Sequence, residues 1–216
     1  MLPVTPLVFA ASTSAAAAAV PIGQAVTAAE LDAPHRFRKG VAVGLMVGAG
    51  PVGASGYPND FAKIGDPAYD SAGGWMLGNG ESVFLMGALT DYLNVGFWYT
   101  HESAENRDWR SISNGGGMRV ETFPLLEILP RLAGLGLLAQ FGLGSGFLSS
   151  KSLETPRAEG TQSFIAAGAL YEWSFGHLLG GHLGAGPTLE YHAVWSQPFE
   201  RHGLLASARI VFYGGP

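Results

Sequence analysis

Leu132–Ser150 reads LAGLGLLAQFGLGSGFLSS, the longest uncharged run after the first thirty-odd residues, close to the ~20 residues a helical membrane span needs. Its periodicity is not helical. Gly134, Gly136, Gly142, Gly144 and Gly146 recur at even spacing, with Leu135, Leu137, Phe141 and Leu143 between them. Period two is the mark of a strand, and this density of glycine weakens a helix. The stretch is therefore a strand with one bulky face and one small face.

The same period runs outward in both directions. Val41, Val43, Leu45 and Val47 share a face, with Gly40, Ala42, Gly44 and Gly48 behind them. Leu93, Val95, Phe97 and Tyr99 alternate with Asn94, Gly96, Trp98 and Thr100. Near the end, Leu204, Ala206, Ala208, Ile210 and Phe212 alternate with Ser207 and Arg209. From Arg36 onward the chain divides into eight such segments: about 37–48, one ending near 89, 93–100, 117–123, 133–147, 161–173, 181–194 and 203–213. The gaps after the first, third, fifth and seventh are long and polar (about 51–74, 101–116, 148–160, and a loop centred on Gln197-Pro198-Phe199). The others are short, at Thr90-Asp91-Tyr92, Ile128-Leu129-Pro130 and Phe175-Gly176-His177. Long outer loops alternating with tight inner turns are the rhythm of a transmembrane barrel. The expected fold is all-β, an eight-stranded antiparallel up-and-down transmembrane β-barrel over 34–216.

Composition agrees. Of 216 residues only 13% are charged, about half the share usual in soluble domains. Glycine numbers 32, net charge is −5 without a basic run, and cysteine is absent. Nucleic acid is not an expected partner, and a disulfide framework or thiolate metal site is excluded. Residues 1–33 include Ala15–Ala19 and small-x-small sites such as Val26-Thr27-Ala28, as a signal peptide would, but no Lys or Arg precedes Arg36. They read as a signal peptide or a disordered Ala-rich leader.

Few charges lie inside the segments, and they fall opposite the smoother apolar face. An Arg on the lipid face costs about 2–4 kcal/mol at mid-membrane. The lumen of an eight-stranded barrel is filled by side chains, and charges buried there must pair. Folding each hairpin about its gap puts Arg119 opposite Gln140, Glu172 opposite His182, and Glu190 beside Ser207 and Arg209. The expected interior network is Arg119, Glu121, Gln140, Glu172, His182, Glu190 and Arg209. Tyr92, Tyr99, Trp173, Tyr191 and Trp195 lie near segment ends, where aromatic girdles belong.

On this rhythm and facing, Arg36–Phe212 resembles the small eight-stranded outer-membrane barrels of the OmpA/OmpX type. The resemblance implies a bacterial outer-membrane location, a structural, adhesion or surface-binding role through the four long outer loops, outer-membrane lipid and the barrel-assembly machinery as partners, a surface ligand met through those loops, and no cofactor. Phe212 resembles the terminal aromatic of the assembly signal, although Tyr213-Gly214-Gly215-Pro216 extends past it. Pro124 and Pro187 depart from an unbroken ladder.

Chemistry is sparse. His101-Glu102-Ser103 holds a base, an acid and a nucleophile and faintly resembles the His-x-Ser of outer-membrane lipid A deacylases, whose motif lies near the chain end, unlike here. A solvated loop start explains it better, and no catalytic residue is expected. A lipid-modifying enzyme stands as one alternative function; a soluble lipocalin-like barrel with an apolar lumen is another. His182 and His192 share a face but lie too far apart, at about 3.3 Å per residue, to bind one metal. His192 and His202 flank the last outer loop without supporting carboxylates, so no metal site is expected. Gly142-Leu143-Gly144-Ser145-Gly146 lacks the Lys and the following helix of a phosphate loop.

Overall fold

The computed structural model describes residues 38–152 and 157–215. The signal peptide or leader expected over 1–33 lies outside them. Among the described residues nine strands run in order: β1 (Gly40–Gly56), β2 (Ser71–Thr90), β3 (Leu93–Glu105), β4 (Trp109–Thr122), β5 (Leu135–Ser150), β6 (Ala158–Tyr171), β7 (Trp173–Leu178), β8 (Gly181–Trp195) and β9 (Phe199–Gly214). Every neighbouring pair is antiparallel, β1 pairs with β9, and both β6 and β7 pair with β8. Strands β6 and β7, parted at Glu172, form a single stave, so the sheet closes into an eight-stranded barrel. The break faces Gly186 and Pro187, since Leu170 pairs with Thr188 and Trp173 with Ala185. Pro187 has no N–H to give a ladder, so the discontinuity falls where the sequence removes a donor.

The outer wall is apolar. Val43, Leu45, Val83, Leu85 and Phe97 are about half exposed or more, while Ala42, Met86 and Trp98 on the alternate parity are buried. The wall stays apolar over Leu204–Phe212 of β9, nine residues that at about 3.3 Å each and about 40° of tilt cover roughly 23 Å, close to the ~25 Å belt of an outer-membrane barrel. Inside, Gly115 leaves room for Trp98 and Phe164, whose rings pack at 4.6 Å between centroids.

The loop rhythm differs from expectation. Outer connections span 57–70, 106–108, 151–157 and 196–198; inner ones span 91–92, 123–134 and 179–180. The charged segment 101–116 is mostly strand rather than loop, and the second inner connection is long. Polar residues remain in the ladder here because their outward members meet water and their inward ones meet a polar lumen. Asn106 makes the tight β3–β4 reversal, accepting from the amides of Asp108 (3.0 Å) and Trp109 (2.8 Å) and donating to the Gly73 carbonyl at 2.8 Å. The turn expected at 175–177 is instead a bulge within β7. The reversal itself is Leu179-Gly180, both at positive φ (51° and 77°), as a tight hairpin demands. Pro124 lies past the end of β4, outside the ladder.

Candidate functional site

The barrel's chemistry lies in its lumen. Glu121 projects from β4 and accepts from Arg119 Nε (2.8 Å), Arg209 Nη1 (3.0 Å) and, through its other oxygen, Arg209 Nη2 (3.2 Å). Arg209 Nη2 also lies 3.2 Å from Glu172 Oε2. Glu172 in turn accepts from Arg38 Nε (2.9 Å) and the Tyr213 hydroxyl (3.0 Å). Toward the outer end, Arg119 Nη1 lies 3.8 Å from Glu190, which accepts from Gln140 Nε2 (3.0 Å) and Thr188 Oγ1 (3.2 Å). His192 bridges Glu190 (3.5 Å) and Glu102 (2.5 Å), and Arg201 Nη1 donates to the other oxygen of Glu102.

Among the described residues nine arginine, glutamate and histidine side chains thus form one continuous chain along the lumen: Arg38, Arg119, Arg201 and Arg209, with Glu102, Glu121, Glu172 and Glu190, and His192. The four arginines balance the four glutamates. Burying charge without such pairing is prohibitive. Phe84 lies 4.8 Å from the Arg119 guanidinium and 5.1 Å from that of Arg209, and Arg38 stacks on Phe123 at 3.4 Å, adding cation–π contacts. Apolar clusters close both ends. Phe123, Leu138 and Leu170 lie at the inner end, and Val52, Met76, Leu148 and Phe199 at the outer.

Six of the seven residues expected in the interior network are buried and linked in this chain: Arg119, Glu121, Gln140, Glu172, Glu190 and Arg209. His182 is the correction. It is part-buried at the inner rim and faces Tyr213 on one side and His177 on the other, the two histidine rings 4.0 Å apart, whereas Glu172 falls in the break between β6 and β7 and has no strand partner. The bulge in β7 and the later turn displace that hairpin's register. Arg119 is in register with Gln140. Glu190 faces Leu205, while Thr188 faces Ser207 and Gly186 faces Arg209, so Glu190 is not directly opposite either residue expected beside it.

Arg38, Asn94, Glu102, His192, Arg201 and Tyr213 belong to the interior but were not among the expected network. The signal was present in the parity. Glu102 continues Asn94, Trp98 and Thr100, and Arg201 continues Gly203, Ser207 and Arg209, both just beyond the expected segment ends; Arg38, Asn94, His192 and Tyr213 lie inside their segments with interior parity. The five girdle aromatics all face outward, Tyr92 and Trp173 toward the inner end and Tyr99, Tyr191 and Trp195 toward the outer. Phe212 also faces outward, near the end of β9.

The His101-Glu102-Ser103 constellation is split by the sheet. His101 lies outward, 2.7 Å from Asn114 Oδ1, whereas Glu102 points into the lumen to Arg201 and His192. The acid lies across the wall from the base it would have to orient. His192 is inward and His202 outward, bonded to Tyr191 (2.7 Å) and Glu200 (2.6 Å), so they do not converge. No group of three or more metal-ligating side chains occurs among the described residues.

No family model matches the chain, and no curated protein matches it. Among solved structures it is similar to Neisserial surface protein A (12% identity, TM-score 0.45, covering 78% of this chain and 97% of that one). It is also similar to Ail, the attachment invasion locus protein of Yersinia pestis (10%, 0.47, 80% and 99%). A de novo designed transmembrane β-barrel is similar at 13% identity with a TM-score of 0.31, covering 80% and 97%. Likenesses this remote carry nothing about activity.

Proposed function

We propose that this chain is a bacterial outer-membrane protein that spans the bilayer as a sealed barrel and acts through its outer rim, in adhesion or ligand binding, without catalysis. The observation that carries the reading is the inverted polarity: apolar side chains cover the wall, and nine arginine, glutamate and histidine side chains among the described residues are buried inside between two apolar clusters. A soluble lipocalin-like barrel has the opposite arrangement. Binding would fall to the outer connections, above all 57–70, where Asp60 pairs with Lys63 (3.1 Å), Asp66 caps the short 3-10 turn Pro67–Tyr69, and Phe61 stands 84% exposed. In the same reading, Phe212 is the aromatic offered to the barrel-assembly machinery.

Fractionation of cells expressing the protein, with gels run before and after boiling, tests the membrane reading. Recovery with the outer membrane and a heat-dependent mobility shift are expected; soluble protein without a shift would overturn it. In planar bilayers the folded protein should give no unitary conductance steps, because both apolar clusters would have to move to open a path. Replacing 59–66 with a Gly/Ser linker should leave the shift intact and abolish surface binding.

A further inference from the structure

At the inner rim, below the apolar belt, a pocket of about 340 Å³ is bounded by the start of β1, the β2–β3 turn and the β4–β5 connection. It brings together one exposed cation, Lys39, and two carboxylates, Asp91 and Glu127, beside the Thr90 hydroxyl and the Tyr92 ring. Arg38, on its wall, is turned inward to Glu172.

Above it, an apolar furrow of about 770 Å³ runs along the lipid-facing wall between Val43 and Leu45 of β1, Val83 and Leu85 of β2, and Phe97 and Phe212 on either side. Register joins the two. Gly40 pairs with Ala88 in the pocket, Val41 with Gly87 one step up, and Val43 with Leu85 in the furrow. Gly87 is the outward residue between Leu85 and Leu89, and it presents no side chain to block the passage. A Cβ there would meet nothing nearer than the Val95 carbonyl oxygen at 3.9 Å.

We propose that this face holds one phospholipid of the inner leaflet with a zwitterionic, primary-amine head, the head in the rim pocket and an acyl chain in the furrow. The proposal rests on the membrane-spanning reading above. The phosphate, with its single negative charge, meets Lys39 and the Thr90 hydroxyl. The ammonium donates charge-assisted hydrogen bonds to Asp91 and Glu127. A glycerol head has no cation for these carboxylates, and a choline head has no N–H to donate to them. The acyl chain fills a groove whose walls are already apolar, without desolvating any charge.

The test is native mass spectrometry of the full chain, folded in detergent with equimolar phosphatidylethanolamine, phosphatidylglycerol and phosphatidylcholine. Wild type should retain phosphatidylethanolamine at least about tenfold over the other two. Gly87→Leu, and separately the double variant Asp91→Asn with Glu127→Gln, should each lower that retention by about tenfold while the heat-dependent mobility shift persists. Equal retention of the three lipids, or retention by Gly87→Leu matching wild type, would overturn the lipid site while leaving the barrel reading standing. A wild-type chain without the mobility shift would overturn both.

Discussion

Glu121 is fully buried and accepts from two arginines and from Asn94, whose Nδ2 lies 3.4 Å away. Its partners are unequally insured. Arg209 keeps the Glu172 carboxylate at 3.2 Å if Glu121 is lost, whereas the carboxylate left to Arg119 is Glu190 at 3.8 Å. Glu121→Ala should therefore destabilise the folded barrel by about 3–5 kcal/mol, the usual cost of stranding a buried partner. Chemical denaturation in lipid vesicles reads this directly, and an unmoved midpoint would refute the assigned pairing. Replacing Arg119 and Glu121 together by apolar residues of similar volume should cost far less, since the pair's attraction is largely offset by its desolvation. At this scale the sequence was readable wherever parity was followed. Arg119 and Glu121 reveal their facing because Met118 and Val120 lie on the other side. His182 has interior parity yet sits at the rim, because parity fixes a face and says nothing about depth.

The elements end where side chains make them end. Strands β3 and β4 run on past the apolar belt and are pinned to the β5–β6 connection by Lys151, whose Nζ lies 3.0 Å from Glu105 and whose amide donates to the Asp108 carbonyl at 2.8 Å. The hydrogen bond from Lys151, and then its charge, hold the Glu105 carboxyl below the usual carboxylate range. A carboxylate lowered in the folded state stabilises fully above its unfolded value, about 4.3, and loses that contribution as pH falls through the lower folded value. The protection factor of the Lys151 amide should accordingly be steady near neutrality and fall in acid below roughly pH 4. Protection that does not change there, or that is the same in Lys151→Ala, would show that the tie does not hold the connection. This extension was not legible in the sequence. A polar run such as 101–116 suits a loop as well as a two-sided polar strand, and the choice depends on Arg201 and His192, about a hundred residues away, to receive Glu102.

For the molecule as a whole, the sign of each face decides everything. Leu45 lies midway along the apolar part of β1 and is half exposed, so Leu45→Arg should cost about 2–4 kcal/mol in folding into vesicles, whereas Ser103→Arg, outward on the polar extension, should stay within about 0.5 kcal/mol. Equal effects at the two positions would misplace the belt. Alternation along the chain already sets the strand period, the facing of every stave but the second, the closed eight-stranded count and the need for buried charges to pair, because it is local and lipid penalises charge on one face only; the unbroken run Val83-Phe84-Leu85-Met86 leaves the second stave's facing to the structure. Tertiary structure alone decided which charges meet, where staves break and how long the connections are. Register in a barrel is set jointly by bulges, turns and closure, and the joining of Arg38, at the start of the chain's first stave, to Glu172 and Tyr213 exists only once the last strand has paired with the first.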